Sequence, residues 1–219
     1  EAAVARDPNR TVAWVALSEA RMRTGKLDES ISAGKRACET GPLEPEAQMA
    51  LGRALLLKSD RASLEQAAAA FGEAVRLSPR SGQARQRLGT ALLRLGKVRE
   101  AGAAFEAAGE LDPHDPYPVQ QLAQIYQRVG DTKRAADAAK LAGTLAINER
   151  ILSQLQRASS THPENPLIHR ALAERYRELG WLRQAEDEYL ATLEIIPQDA
   201  KARSGLAAAR SDQLETSTP

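Results

Sequence analysis

The sequence predicts an all-α fold built as a linear array of helix pairs, and three observations carry that prediction. Leu17, Leu51, Leu88, Leu122, Leu172 and Leu206 are spaced by 34, 37, 34, 50 and 34 residues. Pro8, Pro42, Pro79, Pro113, Pro163 and Pro197 follow the same five intervals. Two independent markers on one 34-residue ruler, with insertions of 3 and 16 at the same two places, define an internal repeat. The third observation is compositional: Ala, Arg and Leu are strong helix formers, they are frequent, and no long β-branched run appears. A unit of this kind cannot bury its apolar face alone. Each covers its neighbour, and the core runs along an axis.

The third unit shows the elements most clearly. Residues 83–95 place Ala84, Leu88, Ala91, Leu92 and Leu95 at helical spacing. Gly96 supplies the turn, because the residue that ends a helix often takes positive φ. Val98, Ala101, Phe105, Ala108 and Leu111 then form one stripe of a second helix. Asp112-Pro113 closes the unit, since the residue before a proline is pushed away from helical geometry. The same logic places the other turns near Gly25, Ser59, Gly130 and Gly180. Asp115-Pro116 and Asn165-Pro166 read as N-caps followed by proline at the first helical position.

The resulting organisation is the end of a preceding partial repeat at residues 1–10, then repeats at 11–44, 45–81, 82–115, 116–165 and 166–199. A capping helix follows at 200–211 and a polar, disordered tail at 212–219. Residues 1–8 read as the tail of a helix that begins outside the sequence. The insertion of three, around residues 58–61, is expected to lengthen a surface turn, with Ser63 and Gln66 as a capping box for the next helix. The insertion of 16 falls in residues 132–160, which hold no proline and one glycine, Gly143. Sixteen helical residues add about 24 Å of rise. One long helix, or two broken near Gly143, should therefore form. Its stripe of Leu141, Leu145, Leu152 and Leu155, widened by Ile147 and Ile151, must meet the fifth repeat or another chain.

Composition excludes several function classes. Thirty basic residues face 29 acidic ones, so there is no basic surplus to neutralise phosphates. Aromatic content of 4% argues against base-stacking platforms, and nucleic acid is not expected as a partner. No run of about 18 apolar residues exists to insert directly into a membrane. One cysteine, Cys38, excludes an intramolecular disulfide framework and reads as an inert packing residue. Of the three histidines, His162 and His169 flank a turn, but without cysteine nearby they make no expected metal site. No catalytic constellation is found, and neither cofactor nor metal is implied. Cytoplasm and periplasm both stay open, and the Ala/Arg-rich usage suggests a bacterial source.

The repeat residues resemble the tetratricopeptide repeat family. The third unit offers Leu88, Gly89, Leu92, Ala101, Phe105, Ala108 and Pro113. The second offers Leu51, Gly52, Leu55, Ala67, Phe71, Ala74 and Pro79, and the fifth Leu172, Ala173, Tyr176, Ala185, Tyr189 and Pro197. The resemblance implies an all-α, right-handed α-solenoid of tandem helix–turn–helix tetratricopeptide repeats. It also implies that Gly52, Gly89, Ala123 and Ala173 sit where paired helices approach most closely. Gly34 and Ala139 stand where an aromatic is usual. Those two units should pack loosely or borrow bulk from neighbours.

In this family the first helices line a concave groove, and side chains two, five, nine and twelve places into each unit point inward. That frame implies a partner site of Arg53, Gln83, Gln86, Thr90, Tyr117, Gln120, Gln124, Gln127, Arg170 and Glu174. The amides could donate to and accept from an extended backbone. The lysine–asparagine carboxylate clamp of the family is not reproduced, which disfavours acidic chaperone tails. The expected function is a non-catalytic scaffold or adaptor that docks a protein or peptide within a larger protein or complex. Two alternatives stand beside it: the recognition arm of an enzyme whose catalytic domain lies elsewhere, and a self-association module using Leu145, Leu152 and Leu155, which would make the chain a homo-oligomer.

Overall fold

A helix needs its first amide groups satisfied, and several helices of this chain meet that need with short polar side chains at extended residues. In the computed structural model, which describes residue 4 and residues 6–216, Asp115 accepts from the Tyr117 amide at 2.9 Å. Asn165 accepts from Leu167 at 3.0 Å, and each is followed by proline at the start of its helix. Five helix pairs result. The first helices are α1 (Thr11–Arg23), α3 (Pro45–Lys58), α5 (Gly82–Arg94), α7 (Pro116–Arg128) and α9 (Pro166–Glu178). The second helices are α2 (Leu27–Thr40), α4 (Arg61–Leu77), α6 (Val98–Leu111), α8 (Thr132–Thr161) and α10 (Leu182–Ile195), and α11 (Ala200–Thr216) follows. No strand occurs among the described residues, and the fold is of the all-α solenoid class.

The turns fall where the sequence placed them. Gly25, Gly96, Gly130 and Gly180 take φ of 74–79°, and Ser59 takes 62°. Left-handed geometry costs a non-glycine residue about 1–2 kcal/mol. Ser59 is held there by its hydroxyl, which donates to the Leu56 carbonyl at 2.9 Å and accepts from the Arg94 guanidinium at 2.9 Å.

Both insertions go into helices. α4 has 17 residues against 14 in α2, α6 and α10, so the three extra residues lengthen the helix and the turn stays short. Its cap is Asp60, which accepts from the Ser63 amide at 2.9 Å and the Ser63 hydroxyl at 2.7 Å, in place of the expected Ser63–Gln66 box. α8 is one helix of 30 residues, longer than α6 by the 16 of the insertion, and Gly143 does not break it. α11 continues to Thr216, beyond the expected stop near residue 211, so residues 212–216 are helical rather than a disordered tail. Residues 217–219 lie outside the described part. Of the expected preceding repeat, residues 1–3 and 5 also lie outside it, while Val4 and Arg6 are helical.

The chain divides into two compact units, residues 1–142 and 143–219, with the boundary inside α8. In the first, each helix from α1 to α7 packs on the next, and α1 touches α3 as α3 touches α5. Its core runs from Ile31, Leu55 and Phe71 to Phe105, Leu122 and Ile125. Small residues set the helix spacing: a Cβ on Gly52 would come within 2.6 Å of the Phe71 ring, and one on Gly89 within 3.0 Å of Phe105. Gly34 does not leave the loose packing expected of its missing aromatic. α2 closes on α3 until a Cβ there would lie 2.9 Å from Leu51 Cα. Ser18 and Ser30, both fully buried, satisfy each other: Ser18 Oγ donates to the Ser30 carbonyl at 2.9 Å, and Ser30 Oγ to the Ser18 carbonyl at 2.7 Å. In the second unit, Leu152 of α8 joins Leu172, Tyr176, Tyr189 and Leu206 in one cluster.

Candidate docking groove

On α7, Gln120, Gln124 and Gln127 are spaced so that they share one helix face, and all three are exposed. Gln83 on α5 is exposed too. Arg53, Gln86, Thr90, Tyr117 and Arg170 are already engaged within the protein. Gln86 of α5 donates to Asp115, the N-cap of α7, and Thr90 pairs its hydroxyl with that of Tyr117 at 3.0 Å. The Tyr117 ring meets Phe105 edge-on at 6.0 Å between centroids. Arg53 of α3 reaches Glu19 of α1, one register upstream, and its Nε is buried without a partner. That guanidinium stands in the wall of a cavity of about 250 Å³ between α1, α3 and α5, where Met49 and Gln83 also contribute.

The second unit repeats the device. Arg170 of α9 pairs with Asp199 ahead of α11 at 2.6 Å, and Asp199 accepts from the Ala202 amide at 2.9 Å. Hydrogen bonds from the Ala202 amide and from Arg170 hold the Asp199 carboxyl below its usual range. Gln86 to Asp115 and Arg170 to Asp199 span the same 29 residues. Side chains near the start of one first helix thus fix the cap of the next. Glu174 is exposed and lines a cavity of about 530 Å³ with Arg177, Lys201, Ser204 and the Tyr189 ring. Sequence marks Asp115 as an N-cap, but repeat register does not bring Tyr189, Lys201 or Ser204 to this site or pair Glu19, Asp115 and Asp199 with groove residues. The recurring 29-residue spacing is the signal that pairs Asp115 with Gln86 and Asp199 with Arg170.

The α8 leucines are placed differently from a free interaction stripe. Leu152 is buried in the second unit's core and Leu155 is packed against it. Gln156 donates to the Tyr176 hydroxyl at 3.1 Å, and Arg175 to Asn148 at 2.6 Å, fastening the same helix to α9. Leu145 is buried as well, whereas Ile147 and Ile151 are exposed. Leu145, Leu152 and Leu155 are therefore taken up within the second unit, whereas Leu141 is exposed.

His169 is buried between acceptors. Its Nε2 lies 2.9 Å from the Pro163 carbonyl and its Nδ1 2.6 Å from Glu188 Oε2. A carbonyl only accepts, so Nε2 carries a proton, and a second on Nδ1 makes the ring a cation that Glu188 satisfies. Burial opposes that charge, but the Glu188 hydrogen bond, the Pro163 carbonyl and the Glu188 charge outweigh it and raise the pKa. A raised pKa means the stabilisation is complete below the unfolded value near 6.5 and is lost as pH rises through the folded value. Denaturation of the second unit is accordingly expected at lower denaturant as pH rises above about 6.5. His169→Gln should remove that dependence. Equal pH profiles for the two proteins would show that the ring is neutral throughout.

Cys38 is half-buried, and burial, then the Glu39 charge, push its thiol up to about 11. A thiol so seldom ionised is a poor nucleophile. Among the described residues, no group of three or more His, Cys, Asp or Glu could hold a metal, and no helix is long and apolar enough to cross a membrane.

Paired helices on a 34-residue ruler, small residues under buried aromatics and glycine turns define a helical-repeat protein. Two family models, both described as Tetratricopeptide repeat, match residues 1–45 and 60–125, together about half of the chain. The chain belongs to the tetratricopeptide repeat family. No curated protein matches its sequence. Among solved structures it is similar to a chain of the APC/C hetero-tetramer Cut9–Hcn1, with a TM-score of 0.58 and 18% identity, over 94% of this chain and 44% of that one. A thermophilic tetratricopeptide protein of Thermus thermophilus matches with a TM-score of 0.53 and 23% identity, over 91% and 98% of the two chains. YrrB, described as having an unusual peptide-binding site, matches with a TM-score of 0.51 and 16% identity over 92% and 94%.

Proposed function

We propose that the chain is a non-catalytic protein-interaction scaffold whose first helices dock a partner segment, as one part of a larger protein or complex. The observation that carries this is the row Gln120, Gln124 and Gln127. These are three exposed amides on one face of α7, where inward-pointing residues of the family lie. Unlike Gln86 and Arg170, they are not spent on joining repeats. Each can donate and accept, which suits the backbone of an extended peptide. YrrB's description, and that of a similar tetratricopeptide domain of Spaghetti (RPAP3) bound to an HSP90 peptide, support a peptide as the class of partner. In the second unit, Glu174, Arg177 and Lys201 around the larger cavity offer charges of both signs to a separate stretch of partner.

The test uses peptides selected from a display library on the intact chain. Changing Gln120, Gln124 and Gln127 to alanine should weaken them about tenfold or more, roughly 1.4 kcal/mol. Thermal stability should stay nearly unchanged, because exposed helix positions tolerate alanine. Binding that survives the triple change and fails instead on substitutions in α4 or α6 would show that the groove is not the site.

A further inference from the structure

The seam between α6 and α7 is underfilled, and the cause is visible by comparison with the preceding seam. Between α4 and α5, Ala68 and Leu95 fill the corner and pack on the core. The residues in the same register are Gly102, with no side chain, and Val129, shorter by one carbon. Val129 is 57% exposed as a result. A cleft of about 380 Å³ opens there, floored by Val98, Gly102, Ile125 and Val129. Its walls are polar but mostly satisfied. The Tyr126 hydroxyl donates to Glu106 at 3.0 Å, and Arg134 lies over the Tyr126 ring at 4.7 Å while pairing with Asp131 at 2.6 Å. Arg99 on the rim is exposed and makes no ion pair among the described residues.

We propose that this cleft is a second docking site, which takes a bulky apolar side chain flanked by a carboxylate from a partner protein. At 100° per residue, Ile125 and Val129 stand about 100–180° around the helix from Gln120, Gln124 and Gln127. The site is therefore distinct from the proposed groove, and a partner could hold both faces of one helix. The apolar side chain replaces the bulk that Gly102 and Val129 lack. The carboxylate answers Arg99, which pairs with no acid among the described residues, while the Glu106 carboxylate in the same cleft already accepts from the Tyr126 hydroxyl.

The probe is the tripeptide glutamyl-phenylalanyl-glutamate, blocked at both ends and titrated to millimolar concentration into the isotope-labelled full chain. Shifts are expected at residues 98–106 and 125–129, and lysyl-phenylalanyl-lysine should not produce them. A Cβ on Gly102 would lie 3.9 Å from Ile125, an ordinary contact, so Gly102→Leu can extend into the cleft. It should weaken the probe at least tenfold. Arg99→Glu, on an exposed residue with no ion pair to break, should do the same and does not depend on packing. The proposal is overturned by an absence of shifts, by shifts confined to the glutamine face, by equal binding of the basic tripeptide, or by indifference to both variants. A dimer that Arg99→Glu dissolves would overturn it in favour of a second copy.

Discussion

Phe71→Ala should destabilise the first unit by about 3–5 kcal/mol, the cost of deleting a fully buried aromatic ring. The ring has no exposed surface and lies against Gly52. That neighbour is what places the effect at the upper end. A cavity shrinks when surrounding side chains relax into it, but Gly52 has none to offer and α3 would have to move as a body. The converse change, Gly52→Ala, puts a Cβ 2.6 Å from the ring and should cost about 1–3 kcal/mol by overpacking. Combined, the two should cost less than their sum, because the new methyl occupies part of the vacated space. Denaturant titration of the single and double variants measures this. Strict additivity would show that ring and glycine do not share the space between the helices.

Leu152→Asp should cost at least about 3 kcal/mol, because it places a carboxylate in the apolar cluster of Leu172, Tyr176, Tyr189 and Leu206. Ile151→Asp, one residue earlier on the exposed side of α8, should stay within about 0.5 kcal/mol. The contrast separates burial from any general intolerance of charge in the long helix. Loss of tertiary signals from residues 143–219 with those of 1–142 retained is the expected pattern for Leu152→Asp. A Leu152→Asp protein as stable as Ile151→Asp would mean that α8 is not fastened to the second unit through this face.

The repeat itself was legible because two kinds of residue keep one spacing, and each has a local reason to sit where it does. Leu51 and Leu88 mark the apolar stripe, Pro79 and Pro113 mark the chain reversal, and the glycine turns follow from positive φ. The two insertions were legible in length but only partly in form. Asp60 and Ser63 are rival N-caps, the first accepting from the Ser63 amide and the second suited to the Gln66 amide, and which of them caps decides whether three residues lengthen a turn or a helix. Gly34 was misread because a missing ring can be answered by helices moving together, which spacing does not reveal. In the groove, residue type showed which side chains could hydrogen-bond but not with whom. Gln86 and Gln124 look alike in sequence. One is turned to Asp115 by the short distance between consecutive repeats, and the other faces outward.

α8 has a kinetic consequence, since its 30 residues are divided between two compact units. Starting a helix is the improbable step, with a nucleation factor on the order of 10⁻³, whereas each added residue is close to neutral or favourable. Two helices joined by a loop would face that step twice. Here, the unit that gathers first is expected to nucleate the helix for both, and the other then extends a stretch of α8 already wound. Order then spreads along a single backbone ladder, in either direction, without waiting for a second chance encounter.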